Sequence, residues 1–594
     1  MNDIREFLSR RPLLFDGGMG TYYKAAPGTE CERANQTDPA GVQAVHREYL
    51  EAGADAIKTN TFGLPRMAAA HTPGWEALAE AGWKLAEAAA PAGAFVFADL
   101  GPAPETEALP AAQVYTAVAE QFRKLGAKNF LFETLSSDAG ILEAVRTLKA
   151  AEPDAFVLVS FAVLPDGYTR EGLYCKDLVR RMSESGCVDA VGLNCVSAPG
   201  AMRTLARSLS SALPLSVMPN AGYPVVTRTQ VRYQGKPEYF AQELSGLAAD
   251  GVVRILGGCC GTTPAHIAAL RAALDALPET AAPARTKEFS TPETKPVENE
   301  DAFLRKLNAG EKVIAIELDS PRNADLTAYL EGARKLQAAG ADLLTIADCP
   351  IAQARMDSSL VACRVHRELG MCTLPHMTCR DRNLNATKAL LLGLYAEGVR
   401  EVLAITGDPI PTAERDEVKN VYQFNSRKLA QYIVSLAGEG REMPSPLTVF
   451  GALNLNARNF DVELRRAQEK LQNGMSGFLT QPVLSAQAVV NLKKTRETLG
   501  EKAKILAGIM PVVSQRNAIF MENEVNGIHV DVEIIERFAG LDRAQGEELG
   551  LEVSVKAAQA AAPYADGFYL MTPFNRIALM ERLIARLKDE GIAD

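Results

Sequence analysis

Three cysteines hold the densest chemistry in this chain of 594 residues. Cys259 and Cys260 are adjacent, inside Arg254-Ile-Leu-Gly-Gly-Cys-Cys-Gly-Thr-Thr-Pro264. The apolar residues Val252, Val253, Ile255 and Leu256 precede them and predict a buried parallel strand. Pro264 and the apolar pattern after it predict a helix start. The pair therefore belongs at the C-terminal mouth of a strand, where βα enzymes place their chemistry. Vicinal cysteines rarely bond each other, because the disulfide torsion strains the peptide between them. Flanking glycines let both sulfurs turn to one side. Cys195 ends a second apolar run, Ala190-Val-Gly-Leu-Asn-Cys195. Three thiolates leave a tetrahedral zinc one open position, as in a catalytic site. A structural zinc lacking its fourth ligand, or three buried free thiols, is the plainer alternative.

Such a mouth needs a barrel behind it. Short apolar runs occupy 13–15, 56–58, 95–98, 130–132, 156–161, 190–193, 215–218 and 252–256. Ala-rich amphipathic stretches such as 42–52 and 114–125 separate them. Eight βα units of about 30 residues predict a parallel (β/α)8 barrel. Asp16, Thr59, Asn60, Asp99, Glu133, Asn194, Cys195, Asn220, Cys259 and Cys260 all fall at the C-terminal ends of these runs, so one mouth would collect them. Taken singly, a strand-end Asp or Asn is as readily a helix cap.

The alternation returns in the second half, at 313–318, 343–347, 372–378, 402–406, 447–453, 477–480, 505–510 and 567–571. Helical stretches such as 389–397, 464–473 and 580–588 lie between. Residues 278–300 hold four prolines, several charges and few apolar side chains, which predicts a solvated linker. The expected fold class is thus α/β: two (β/α)8 TIM barrels, 1–277 and 301–594, joined by the Pro-rich linker 278–300. No Gly-x-Gly-x-x-Gly follows a strand and no P-loop is present, so neither nucleotide motif is indicated.

Composition narrows the class. At 47% apolar and 23% charged the chain reads as globular. A net charge of −10 without dense Lys/Arg runs argues against nucleic acid as partner. There is no uninterrupted apolar stretch of about 18 residues, which argues against a membrane span. The N-terminus has no apolar signal core. Ten scattered cysteines do not form a disulfide framework, so a reducing, cytoplasmic setting is expected. Assembly as a homo-oligomer is left open by the sequence.

Gly192-Leu-Asn-Cys195 with Gly257-Gly-Cys-Cys-Gly-Thr-Thr-Pro264 resembles the zinc-dependent homocysteine S-methyltransferases. Asp16-Gly-Gly-Met-Gly-Thr21, Lys58-Thr-Asn-Thr-Phe-Gly63, Phe132-Glu-Thr134 and Pro219-Asn-Ala-Gly-Tyr-Pro224 are similar to that family's other motifs. The resemblance implies Zn2+ on Cys195, Cys259 and Cys260. It also implies homocysteine held by Asp16, Gly17, Gly18, Glu133 and Asn220. Lys58 departs from the pattern, since many relatives have Glu there.

The second half resembles the methylenetetrahydrofolate reductases, more distantly. Pro375-His-Met-Thr-Cys379, Thr406-Gly-Asp408, Thr480-Gln-Pro482 and Gly508-Ile-Met-Pro-Val512 carry the likeness. It implies FAD in the barrel mouth, NADH or NADPH as reductant, and methylenetetrahydrofolate as substrate. Thr345, His376, Thr406, Asp408 and Asn454 are the implied flavin contacts, with Asp408 biasing the reduced flavin's charge. Gln481 can offer donor and acceptor to a pterin edge. Glu317 is the candidate catalytic acid; burial should raise its pKa and keep it protonated. An ion-paired Glu317 and a satisfied core His376 are the plainer alternatives. Thr406 stands where many members have Arg, and Ile314-Ala-Ile-Glu-Leu-Asp-Ser-Pro321 replaces the usual Glu-Phe-Phe-Pro-Pro.

One half would thus make a methyl donor and the other consume methyl groups. No Asp-x-His-x-x-Gly cobalamin-ligand motif is present. The expected methyl donor is S-methylmethionine or S-adenosylmethionine, with methyltetrahydrofolate as a further option, because a sulfonium is the better leaving group. The alternative for the second half is a folate- or flavin-binding module without turnover.

Overall fold

The computed structural model describes residues 3–593 except 24–28, 105–108, 227–230, 234, 252, 278–299, 410–419, 439–440 and 526. The expected linker therefore lies outside the described residues, apart from Glu300. The chain forms two compact units, Met1–Thr291 and Pro292–Asp594.

The first unit has eight parallel strands: β1 (Leu13–Leu14), β2 (Ala56–Lys58), β3 (Phe95–Leu100), β4 (Asn129–Leu135), β5 (Phe156–Phe161), β6 (Ala190–Asn194), β7 (Leu215–Met218) and β10 (Ile255–Leu256). Their order is β1-β10-β7-β6-β5-β4-β3-β2, and a parallel bridge from Phe15 to Ala56 joins the ends. An antiparallel hairpin, β8 (Pro224–Val226) and β9 (Val231–Tyr233), intervenes after β7.

The second unit is a closed parallel barrel of eight strands in sequential order. They are β11 (Val313–Glu317), β12 (Leu343–Ile346), β13 (Cys372–Thr378), β14 (Glu401–Ile405), β15 (Thr448–Leu453), β16 (Gly477–Pro482), β17 (Lys504–Ile509) and β18 (Gly567–Met571). Both barrels match the expected fold class. The apolar runs become strands because both faces are covered, by helices outside and packed side chains inside.

A short helix packs against the interior of each barrel. Ile4–Arg10 puts Ile4 and Leu8 among Leu13, Phe97, Phe156 and Ile255. Ala302–Ala309 puts Phe303, Leu304 and Leu307 among Val313, Leu374, Phe450 and Leu506. Asp3 and Asp301 cap these helices by accepting N–H bonds from Arg5 and Leu304. The C-terminal strand ends are left for chemistry. Among the described residues no helix is long and apolar enough to cross a membrane.

Candidate functional site

The chain reverses abruptly after β6. Cys195 and Val196 both adopt φ of +56°, a left-handed conformation that costs a non-glycine residue about 1–3 kcal/mol and clusters at functional sites. The turn is held by Cys195 N–H donating to the Met218 carbonyl (3.1 Å) and Ser197 N–H to the Cys195 carbonyl (2.6 Å). The loop after β10 is stitched to its neighbours. Gly258 N–H donates to the Asp16 carbonyl (3.0 Å), Cys259 N–H to that of Pro219 (2.9 Å) and Ala221 N–H to that of Cys260 (3.0 Å).

These turns bring the three expected cysteines together. Their sulfurs lie within 4.8 Å of one another, with Cys195 Sγ 3.8 Å from Cys260 Sγ. Zinc–sulfur bonds of about 2.3 Å in a tetrahedron place sulfurs about 3.8 Å apart, so the trio fits a zinc ion. Hydrogen bonds from Cys195 and Cys259 pull the Cys260 thiol down to about 3, helped by the Tyr233 hydroxyl and the charge of Lys58. Hydrogen bonds with Cys195 and Cys260, together with burial, push Cys259 well up.

Asp16, Glu133 and Asn220 are buried at the same mouth. Asp16 Oδ2 accepts the Lys58 N–H at 3.0 Å, and Glu133 Oε2 accepts Asn194 Nδ2–H at 3.0 Å. Asp16 Oδ1 and Asn220 Oδ1 have no hydrogen-bond partner. Burial lifts Asp16 to about 6, against the pull of Lys58. Asp99 and Glu133 are raised as well, again chiefly by burial.

Gly17 and Gly18 pack beneath the cysteine loop. A Cβ on Gly18 would sit 2.6 Å from the Cys259 carbonyl oxygen, and one on Gly17 2.6 Å from Thr262 Oγ1. Gly18 N–H donates to Thr262 Oγ1 at 3.1 Å. Tyr233 carried no sequence signal, because it reaches the cysteines from the β8–β9 hairpin outside the barrel strands. Lys58 was visible as a departure from the motif, but its place in the site was not.

In the second barrel Glu317 ends β11, in register with Thr345 on β12 and Met571 on β18. The Tyr569 hydroxyl donates to Glu317 Oε2, and His376 Nε2 lies 3.7 Å from the same oxygen. Among the described residues no lysine or arginine pairs with Glu317. Burial raises Glu317 to about 7, with Tyr569 working against the rise. Burial lowers His376 to about 4, so it stands neutral beside the acid. His376 Nε2 is buried without a hydrogen-bond partner, unlike a satisfied core histidine.

The other expected residues occupy the same end of the strands. Thr345 is buried. Gln481 sits where the β16–β17 register shifts, a bulge of the kind that re-aims side chains. Asn454 follows β15, and its Oδ1 accepts Asn456 N–H at 2.9 Å. Thr406 and Asp408 follow β14 and are exposed. The Asp408 carbonyl accepts from the buried Arg380 at 3.1 Å. Asp348, which accepts from Thr378 and Arg382, and Tyr569 were not anticipated. Only tertiary packing brings these groups together. The orphaned His376 nitrogen and the acid raised to about 7 leave polar groups at this mouth for a ligand to meet.

Comparison with known proteins divides the chain in the same way. Residues 13–274 match the family model "Homocysteine S-methyltransferase", and residues 302–588 match "Methylenetetrahydrofolate reductase". The methionine synthase of Mycobacterium tuberculosis is 33% identical over 302 residues, covering 46% of this chain and 25% of the relative. That of Mycobacterium leprae is 32% identical with the same coverage. The chain thus spans about a quarter of the length of these curated relatives. A solved structure of the Escherichia coli homocysteine methyltransferase MmuM, in its metallated form, aligns at 23% identity and a TM-score of 0.38. It covers 46% of this chain and 99% of that one.

Proposed function

We propose a bifunctional enzyme of one-carbon metabolism, because residues 13–274 match the homocysteine S-methyltransferase model and residues 302–588 the methylenetetrahydrofolate reductase model. The first barrel transfers a methyl group to homocysteine, giving methionine. The second uses FAD and NADH or NADPH to reduce 5,10-methylenetetrahydrofolate to 5-methyltetrahydrofolate. The convergence of Cys195, Cys259 and Cys260 carries the first assignment.

Zinc held by the three thiolates would acidify a substrate thiol at the open position. The chain's own contribution is to make the metal's surroundings electron-rich, so that the thiolate keeps its nucleophilicity. The buried Asp16 and Glu133 supply acceptors for the substrate ammonium. The turn at Cys195 and the stitched loop at Cys259 hold the sulfurs in place before substrate arrives, which reduces the ordering cost. A sulfonium such as S-methylmethionine or S-adenosylmethionine is the preferred donor, because its leaving group departs neutral.

In the second barrel, bound FAD would supply hydride transfer. Glu317 holds a proton at Oε1 or Oε2 for the folate nitrogen, and the Tyr569 hydroxyl fixes its orientation. His376 stays neutral, which keeps a competing cation away from the acid. Gln481 would address the pterin edge, and Thr345, Asn454, Thr406 and Asp408 would contact the flavin. The ten free thiols favour a reducing, cytoplasmic setting.

The test uses the purified full chain. Zinc content and homocysteine-dependent methylation are measured with each donor. Flavin colour is followed on adding NADH or NADPH, then methylenetetrahydrofolate. Full transferase activity without metal would overturn the first assignment. A flavin that bleaches but is not reoxidised by the folate would favour the binding module without turnover.

A further inference from the structure

Lys58 takes no part in the mechanism above, yet it is buried at the centre of the first mouth. It ends β2 and is 4% exposed. Its Nζ donates to the Gly258 carbonyl at 3.1 Å and lies 3.5 Å from Asp16 Oδ1. An ammonium carries three N–H donors, and the carbonyl takes one. Around it the carboxylates of Asp16, Asp99 and Glu133 are also buried. Asp99 Oδ1 and Asn220 Oδ1 have no hydrogen-bond partner, and Asp16 Oδ1 has only the ion pair with Lys58. A buried acceptor left without a donor costs stability unless a ligand meets it.

The arrangement therefore has two complementary poles, acceptors in excess and one cation beside them. A zwitterion fits both. Gly258 directly precedes Cys259, so the lysine ammonium stands next to the thiol cluster. In homocysteine only three carbons separate the sulfur from the carboxylate carbon. With the sulfur at the cysteines, the carboxylate falls near the same backbone.

We propose that Lys58 determines acceptor specificity by receiving the α-carboxylate of homocysteine, while Asp16 and Glu133 receive its ammonium. The assignment rests on the homocysteine reading above. It competes with a purely structural role, in which Lys58 clamps the cysteine loop to Asp16.

Calorimetric titration of the zinc-loaded full chain separates the two. The probes are homocysteine and 3-aminopropane-1-thiol, which keeps the thiol and ammonium but lacks the carboxylate. A charge-assisted hydrogen bond predicts that the wild type prefers homocysteine by about 10- to 100-fold. In Lys58→Met, with zinc content checked on the same sample, that preference should collapse to near one, through loss of homocysteine affinity alone. Equal weakening of both thiols would make Lys58 a clamp and overturn the proposal. If Lys58→Met does not fold or loses zinc, the wild-type comparison still decides, because equal affinity for the two thiols would overturn it. Binding of neither thiol by the wild type would remove the homocysteine reading itself.

Discussion

Glu317→Gln should separate function from stability in the second barrel. The carboxyl is raised from an ordinary 4.5 to about 7, chiefly because burial penalises its charge. At neutral pH about half of the side chains then carry the proton that folate reduction needs, against well under about 1% for an unshifted glutamate. General acid catalysis is worth about 10²–10⁴-fold, so the amide should lower reoxidation of the flavin by methylenetetrahydrofolate by that factor. Reduction of the flavin by NADH or NADPH needs no proton from this group and should change little. In the wild type the folate step should be flat below about pH 7 and fall above it. Linkage gives the stability side. The folded state binds the proton more tightly than the unfolded state, so the penalty is absent below the ordinary carboxyl range. It grows between about pH 4.5 and 7 and is full above that. A rise from 4.5 to about 7 corresponds to about 3 kcal/mol, an upper bound because the group is partly reached by water. The variant should therefore unfold at a higher temperature than wild type at pH 8.5, with most of the difference gone at pH 5. Stopped-flow traces of the two half-reactions and calorimetric scans at both pH values provide the readouts. Equal slowing of both half-reactions would make Glu317 structural, and no slowing would place the acid elsewhere.

Tyr569→Phe removes a hydrogen bond that holds the Glu317 pKa down, so the alkaline limb of folate reduction should move to higher pH. A pH–rate profile that moves down, or not at all, would contradict this. Cys259→Ser should abolish the stoichiometric zinc and the methyl transfer together while flavin reduction persists, as read by metal analysis and the two assays. Gly18→Ala drives a methyl group to 2.6 Å from the Cys259 carbonyl oxygen. It should destabilise by about 1–3 kcal/mol and weaken zinc retention in a chelator competition, whereas a change at Gly20, with open space around it, should do neither.

The strand pattern was legible because a parallel barrel buries both faces of each strand, and such runs stand out as short, predominantly apolar stretches. Runs 56–58, 156–161, 215–218, 372–378 and 567–571 match the observed strands end for end. The phasing of Asp16, Glu133, Asn220 and the cysteines to strand ends was legible for the same reason, since polar side chains begin where the buried run stops. The raised acid at Glu317 followed from its apolar neighbours alone. Partnerships across the sequence were not legible. Tyr569 meets Glu317 from 252 positions away because β18 closes the barrel against β11. Tyr233 reaches Cys260 from a hairpin outside the barrel pattern. Lys58 faces the carbonyl of Gly258 because β1 brings both strand ends together. Local periodicity records which side of a strand is buried, whereas charge pairing depends on which strand ends become neighbours, and that is decided only when the sheet closes.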